Sequence, residues 1–145
     1  MNPIVLLIDD DKLVMQFYVR ALQMEKFVVR HCLGPDEAFA FIEQERPQLV
    51  AAIVDIMMLP QKRYQDVDTD NGLKTGLFVC RDLRAQYPDI PIIVLTNVSN
   101  QVTLHNFSEG PLLKVAQKLD LTPFDLARLI HEMRQSANLH NVSAQ

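Results

Sequence analysis

Ile4-Val5-Leu6-Leu7-Ile8 runs directly into Asp9-Asp10-Asp11. Five apolar residues in a row do not alternate with polar ones. A strand covered on both faces reads this way, as in a parallel sheet, whereas a half-exposed antiparallel strand alternates. Residues 49–56 and 90–95 are two further runs of the same kind, and residues 27–33 and 112–118 are weaker candidates for a fourth and a fifth. Between the runs apolar residues recur at helical spacing: Leu13, Val14, Phe17, Tyr18, Ala21 and Leu22, then Leu73, Leu77, Cys80 and Leu83. Near the end Phe124, Ala127, Ile130 and Met133 do the same, flanked by Leu126 and Leu129. Pro35-Asp36-Glu37 and Thr122-Pro123 are helix starts, with proline in the first turn and acids or a hydroxyl at the N-terminus. A short helix is expected over residues 99–108, before Gly110-Pro111. Strand and helix thus alternate five times. Right-handed crossovers turn that order into a doubly wound α/β sheet with helices on both faces.

Length and composition set the frame. The 145 residues suffice for one domain, and 48% apolar with 22% charged residues is ordinary for a globular chain. A net charge of −4 argues against direct nucleic-acid binding, which needs a basic footprint. No apolar segment approaches membrane-spanning length, and the N-terminus has no basic stretch of the kind that opens a signal peptide. A cytoplasmic chain without membrane contact is expected. Cys32 and Cys80 each lie in an apolar run with no metal-like spacing, which reads as two buried thiols in a reducing compartment. The four histidines show no ligand spacing. Residues 1–134 are expected to form the domain, and the polar residues 135–145 a tail or the start of a linker.

In doubly wound folds ligands bind beyond the carboxyl ends of the strands. The first strand ends in Asp9-Asp10-Asp11, the third in Asp55, the fourth in Thr96 and the fifth in Lys118. Carboxylates gathered at one sheet edge repel, and a divalent cation relieves that repulsion. Mg²⁺ takes oxygen ligands, commonly one or two carboxylates plus phosphate oxygens. A carboxylate beside it can act as a nucleophile toward phosphorus, while a lysine and a hydroxyl stabilise the equatorial oxygens.

Val5-Leu6-Leu7-Ile8-Asp9-Asp10-Asp11, Asp55-Ile56-Met57-Met58 and Ile92-Ile93-Val94-Leu95-Thr96, with Lys118 22 residues beyond Thr96, together resemble response-regulator receiver domains. The resemblance covers about residues 3–134. It implies a flavodoxin-like five-stranded parallel sheet in the order 2-1-3-4-5. It also implies a Mg²⁺-dependent phosphoacceptor rather than a conventional enzyme, with at most intrinsic autophosphorylation and autodephosphorylation. Asp55 would accept the phosphoryl group. Asp10 would bind Mg²⁺ directly, Asp9 largely through water, and the backbone carbonyl of Met57 would be a further ligand. Thr96 would hydrogen-bond the phosphoryl oxygens and Lys118 would pair first with Asp55 and then with the phosphoryl group. Asp11 reads as a helix-start residue. The implied partners are a histidine kinase or histidine phosphotransfer protein as donor, and a downstream partner or a fused output domain. The implied switching surface is the fourth helix, fifth strand and fifth helix.

The sequence departs from the family pattern in places. Leu59 stands where proline is usual, and a long loop over residues 58–71 delays the nearest Asp-Gly equivalent to Asp70-Asn71-Gly72. Asn97, Val115 and Leu119 replace a very small residue, an aromatic switch residue and a proline. These changes keep open a phosphorylation-independent pseudo-receiver that serves as an interaction module. A haloacid-dehalogenase-type phosphatase also fits the Asp9-Asp10-Asp11 motif, but needs an acidic pair after its lysine, where this chain has only isolated acids. The stretch from Asp66 to Leu77 resembles a calcium loop but carries Asn71 and Leu77 where glycine and glutamate are required, so it reads as a solvated acidic loop.

Overall fold

The computed structural model describes residues 4–97 and 108–143. Five strands, β1 (Ile4–Ile8), β2 (Val28–Cys32), β3 (Leu49–Val54), β4 (Ile92–Thr96) and β5 (Leu113–Gln117), form one parallel sheet in the order β2-β1-β3-β4-β5. Helices α1 (Lys12–Met24), α2 (Pro35–Glu45), α3 (Thr75–Gln86) and α4 (Pro123–Ser143) cover both faces. The expected short helix at 99–108 falls almost wholly outside the described residues.

The unbroken apolar runs are explained by two cores. Side chains on a strand alternate between faces. Leu6 and Ile8 of β1, with Ala52 and Val54 of β3, meet Phe39 of α2 and Val79 and Leu83 of α3. Val5 and Leu7, with Ile53 of β3, meet Met15 and Leu22 of α1 and Leu126 and Ile130 of α4. β4 begins at Ile92 rather than at Ile90. Pro91 has no N–H for a ladder, and its carbonyl instead accepts from Ala52 N–H at 3.0 Å.

The helix starts follow the local chemistry. Pro35 opens α2, with Asp36 and Glu37 in the first turn. At α4 the Thr122 hydroxyl accepts from Asp125 N–H at 3.2 Å and the Asp125 carboxylate accepts from Thr122 N–H at 3.3 Å, a reciprocal cap. Residues 135–143, read from sequence as a polar tail or linker start, continue this helix.

One expectation changes. On α1 the buried face runs through Met15, Tyr18, Ala21 and Leu22, while Leu13, Val14 and Phe17 are exposed. Periodicity marks an apolar stripe wider than the face the neighbouring helix covers. The loop after β3 is fastened to two helices. Tyr64 is buried, and its hydroxyl donates to Asp82 of α3 at 2.8 Å. Asp36 of α2 accepts from the N–H groups of Lys62 and Arg63 at 3.1 and 2.9 Å. Gln61 returns the contact: its Oε1 accepts from Asp36 N–H at 2.8 Å, capping a helix whose own N-cap, Gly34, has no side chain. The inserted residues are therefore fastened across α2 and α3.

Candidate functional site

Parallel register brings the C-terminal ends of β1, β3, β4 and β5 to one edge. Asp9 follows β1 and extends its ladder, its N–H donating to the Cys32 carbonyl at 3.1 Å. Asp55 follows β3, and its N–H donates to the Ile8 carbonyl at 3.0 Å. These backbone bonds hold two buried carboxylates side by side. With Asp10, which is exposed, they form a group in which one carboxylate oxygen from each residue lies within 4.8 Å of the others. Among the described residues this is the only such group of potential metal-binding side chains. Asp11 is not part of it: its carboxylate accepts from Val14 N–H at 3.1 Å and caps α1, as its place in the sequence suggests.

Lys118, immediately after β5, points into the same group. Its N–H donates to the Thr96 carbonyl at 2.9 Å. Its Nζ lies 2.7 Å from Asp9 Oδ2 and 3.5 Å from Asp55 Oδ2. The lysine that reaches the acids is thus Lys118; Lys114, four residues earlier, sits opposite Ile93 in the ladder. The tighter pair is with Asp9, where the family resemblance emphasised Asp55. Thr96 is fully buried at the end of β4, one strand from Asp55. Met57, two residues past Asp55, has a half-exposed side chain.

The electrostatics follow from this geometry. Burial pushes the Asp55 carboxyl up to about 6, and the neighbouring Asp9 charge adds to the rise against the opposing pull of Lys118. Burial works against the charged form of Lys118, but its hydrogen bond to Asp9 and the charges of Asp55 and Asp9 outweigh that and hold its pKa above the ordinary value. One ammonium faces three carboxylates, two of them almost wholly out of water. Such a site has residual negative charge and oxygen donors to offer a hard cation.

Close approach of α3 to the end of β3 depends on Gly76. A Cβ there would overlap the Asp55 carbonyl and Ile56, and Gly76 N–H donates to the Ile56 carbonyl at 2.8 Å. Sequence reasoning placed the Asp-Gly equivalent at Asp70-Asn71-Gly72. Gly72, with φ of +91°, closes only the inserted turn, its carbonyl accepting from Met58 N–H at 3.2 Å. The exposed acids of that loop gather no metal-binding group.

Two residues at the site were not legible in the sequence. His31 Nε2 lies 2.8 Å from the Asp9 carbonyl, so the ring donates to the backbone of the β1–α1 turn. The Tyr18 hydroxyl reaches the carbonyls of Lys118 and Leu121. Both contacts cross between elements far apart in the chain, and no local pattern signals them.

Comparison with known proteins agrees with this fold. The model of the response regulator receiver domain family matches residues 5–133. Response regulator MprA of Mycolicibacterium vanbaalenii is 34% identical over 134 residues, covering 90% of this chain and 48% of that protein. The chain thus spans about half the length of the curated relatives it matches. A CheY-like response regulator receiver domain protein from Methanospirillum hungatei superposes with a TM-score of 0.72 at 19% identity, over 97% of this chain and 99% of that one. A response regulator protein from Burkholderia pseudomallei, solved with a phosphorylated aspartic acid, calcium ion and citrate, gives a TM-score of 0.64 at 18% identity, over 99% of this chain and 73% of that one. Among the described residues no helix is long and apolar enough to cross a membrane.

Proposed function

The chain belongs to the response-regulator receiver-domain family, a signalling module of two-component systems, and from that premise we propose that Asp55 is its phosphoacceptor. The observation that carries this reading is the group Asp9, Asp10 and Asp55, with Lys118 Nζ held between the two buried acids. A carboxylate oxygen of Asp55 attacks the donor phosphorus. The bond from phosphorus to the donor nitrogen or oxygen breaks, and the donor leaves with its electron pair. Asp55 reacts as the carboxylate, so proximity to cationic groups that favour ionisation is part of its activation.

Asp9, Asp10, Asp55 and the Met57 carbonyl would hold Mg²⁺, which when bound supplies charge neutralisation to the transferring phosphoryl oxygens. Lys118 would neutralise a further equatorial oxygen, and the Thr96 hydroxyl would donate to one. The donor is a histidine kinase or histidine phosphotransfer protein, and a separate partner or a fused output domain reads the result, in the cytoplasm. Residues 1–134 form the receiver, with its last helix running on to Ser143. The phosphorylated aspartate in the Burkholderia pseudomallei relative supports this chemistry by analogy.

The test is an intact-mass measurement after incubation with Mg²⁺ and a small-molecule phosphodonor. One phosphoryl group is expected on the wild type and none on Asp55→Asn. A wild type that gains nothing at excess Mg²⁺ and short times would sink the assignment.

A further inference from the structure

The lysine that completes the site opens a short turn that is tied by Asp120 N–H to the Gln117 carbonyl at 3.0 Å and by Leu121 packed against the core. Between β5 and α4 lie Lys118, Leu119, Asp120, Leu121 and Thr122, and Leu119 is 92% exposed. The turn carries no apolar plug at that position. Its inner side is fastened by Tyr18. This side chain rises from α1, is 5% exposed, and belongs to the core formed with Leu126 and Ile130 of α4. Its hydroxyl lies 3.1 Å from the Lys118 carbonyl and 2.9 Å from the Leu121 carbonyl. Carbonyls only accept, so the single phenolic proton is shared between both ends of the turn. Burial pushes the Tyr18 pKa further up, so the donor keeps its proton.

We propose that Tyr18 is a positioning residue for Lys118, a strap from α1 that sets the backbone from which the ammonium reaches Asp9 and Asp55. This rests on the reading of Asp55 and Lys118 above. The Lys118 N–H is fixed to the Thr96 carbonyl on one side of the peptide and its C=O to Tyr18 on the other. A backbone held on both sides narrows the positions the ammonium can reach, and the ion pairs with Asp9 and Asp55 select among them. Loss of one hold lets the ammonium drift, and misplacements of about 1 Å at a reacting site carry large rate penalties.

Tyr18→Phe keeps the ring and removes only the donor. Phosphorylation from a small-molecule donor is expected to slow about tenfold, with the fold confirmed by circular dichroism. Lys118→Ala, with longer incubation, sets the second background, and there Tyr18→Phe is expected to cause no further slowing. Independently of phosphorylation, the carbonyl ¹³C resonances of Lys118 and Leu121 are expected to move upfield in Tyr18→Phe. Wild-type speed in Tyr18→Phe, or an equal loss in the Lys118→Ala background, would overturn the strap. If the wild type accepts no phosphoryl group, the reading of Asp55 fails on its own. The ¹³C shifts then decide the strap, and unmoved resonances reject it.

Discussion

Asp55 occupies a position unfavourable to a charged carboxylate. An ordinary aspartate titrates near 3.9, and burial beside Asp9 raises Asp55 to about 6. Between these values the folded chain keeps a proton that the unfolded chain has released. The folded state is therefore favoured below about pH 4, and this contribution is lost as pH rises through 6. In chelator, wild-type stability should fall across that window relative to Asp55→Asn, by on the order of 2–3 kcal/mol at neutral pH. Urea titrations of both proteins at pH 4 and pH 7.5 would show it, and a gap that stays constant with pH would refute it. The identities of the acids, Thr96 and the lysine could be read from strand ends. That Lys118 lies nearer Asp9 than Asp55 could not, because it depends on the angle at which β5 delivers the side chain.

At the scale of elements, the strands were legible because burial on both faces leaves an uninterrupted apolar run. Helix starts were legible because caps are local chemistry. Helix faces were less so: Phe17 and Tyr18 are neighbouring aromatic residues, yet Phe17 is exposed and Tyr18 buried, according to where α4 lies. Gly76 shows the same dependence on contact. Within a helix, glycine to alanine ordinarily stabilises by up to about 1 kcal/mol. Here the added methyl meets the backbone of Asp55 and Ile56, which cannot swing aside. Gly76→Ala should instead cost about 1–3 kcal/mol, read as a lowered urea midpoint with an unchanged slope. A raised midpoint would show that α3 shifts freely from the end of β3.

For the whole molecule, the sheet is a scaffold that brings residues 9, 55, 96 and 118 to one edge, while two separate cores hold it from either side. The inserted loop joins the outer layer by clasping α2 and α3 rather than extending the sheet. A cation bound by acids from β1 and β3 would stabilise only the folded chain, since the unfolded chain does not assemble the group. At a Mg²⁺ concentration about 100 times its Kd the gain would be about 2.7 kcal/mol, visible as a rise in Tm of several degrees. Asp9→Asn/Asp10→Asn should abolish the rise, and an undiminished rise in that double variant would show that the ion binds elsewhere.

The sequence alone determined the parallel α/β class, the placing of strands and helix starts, and the identities of the acids, threonine and lysine at the strand ends. Each of these is a local property: the period of burial, the geometry of a cap, the residue at which an apolar run stops. Only the tertiary structure decided which side of α1 is buried, that Gly76 is the close-approach glycine, where the long loop is fastened, and that Tyr18 reaches a turn 100 residues away in sequence. Those outcomes depend on which surfaces meet after the chain has folded. Packing sets that by shape and distance across the whole molecule, and no window of neighbouring residues carries it.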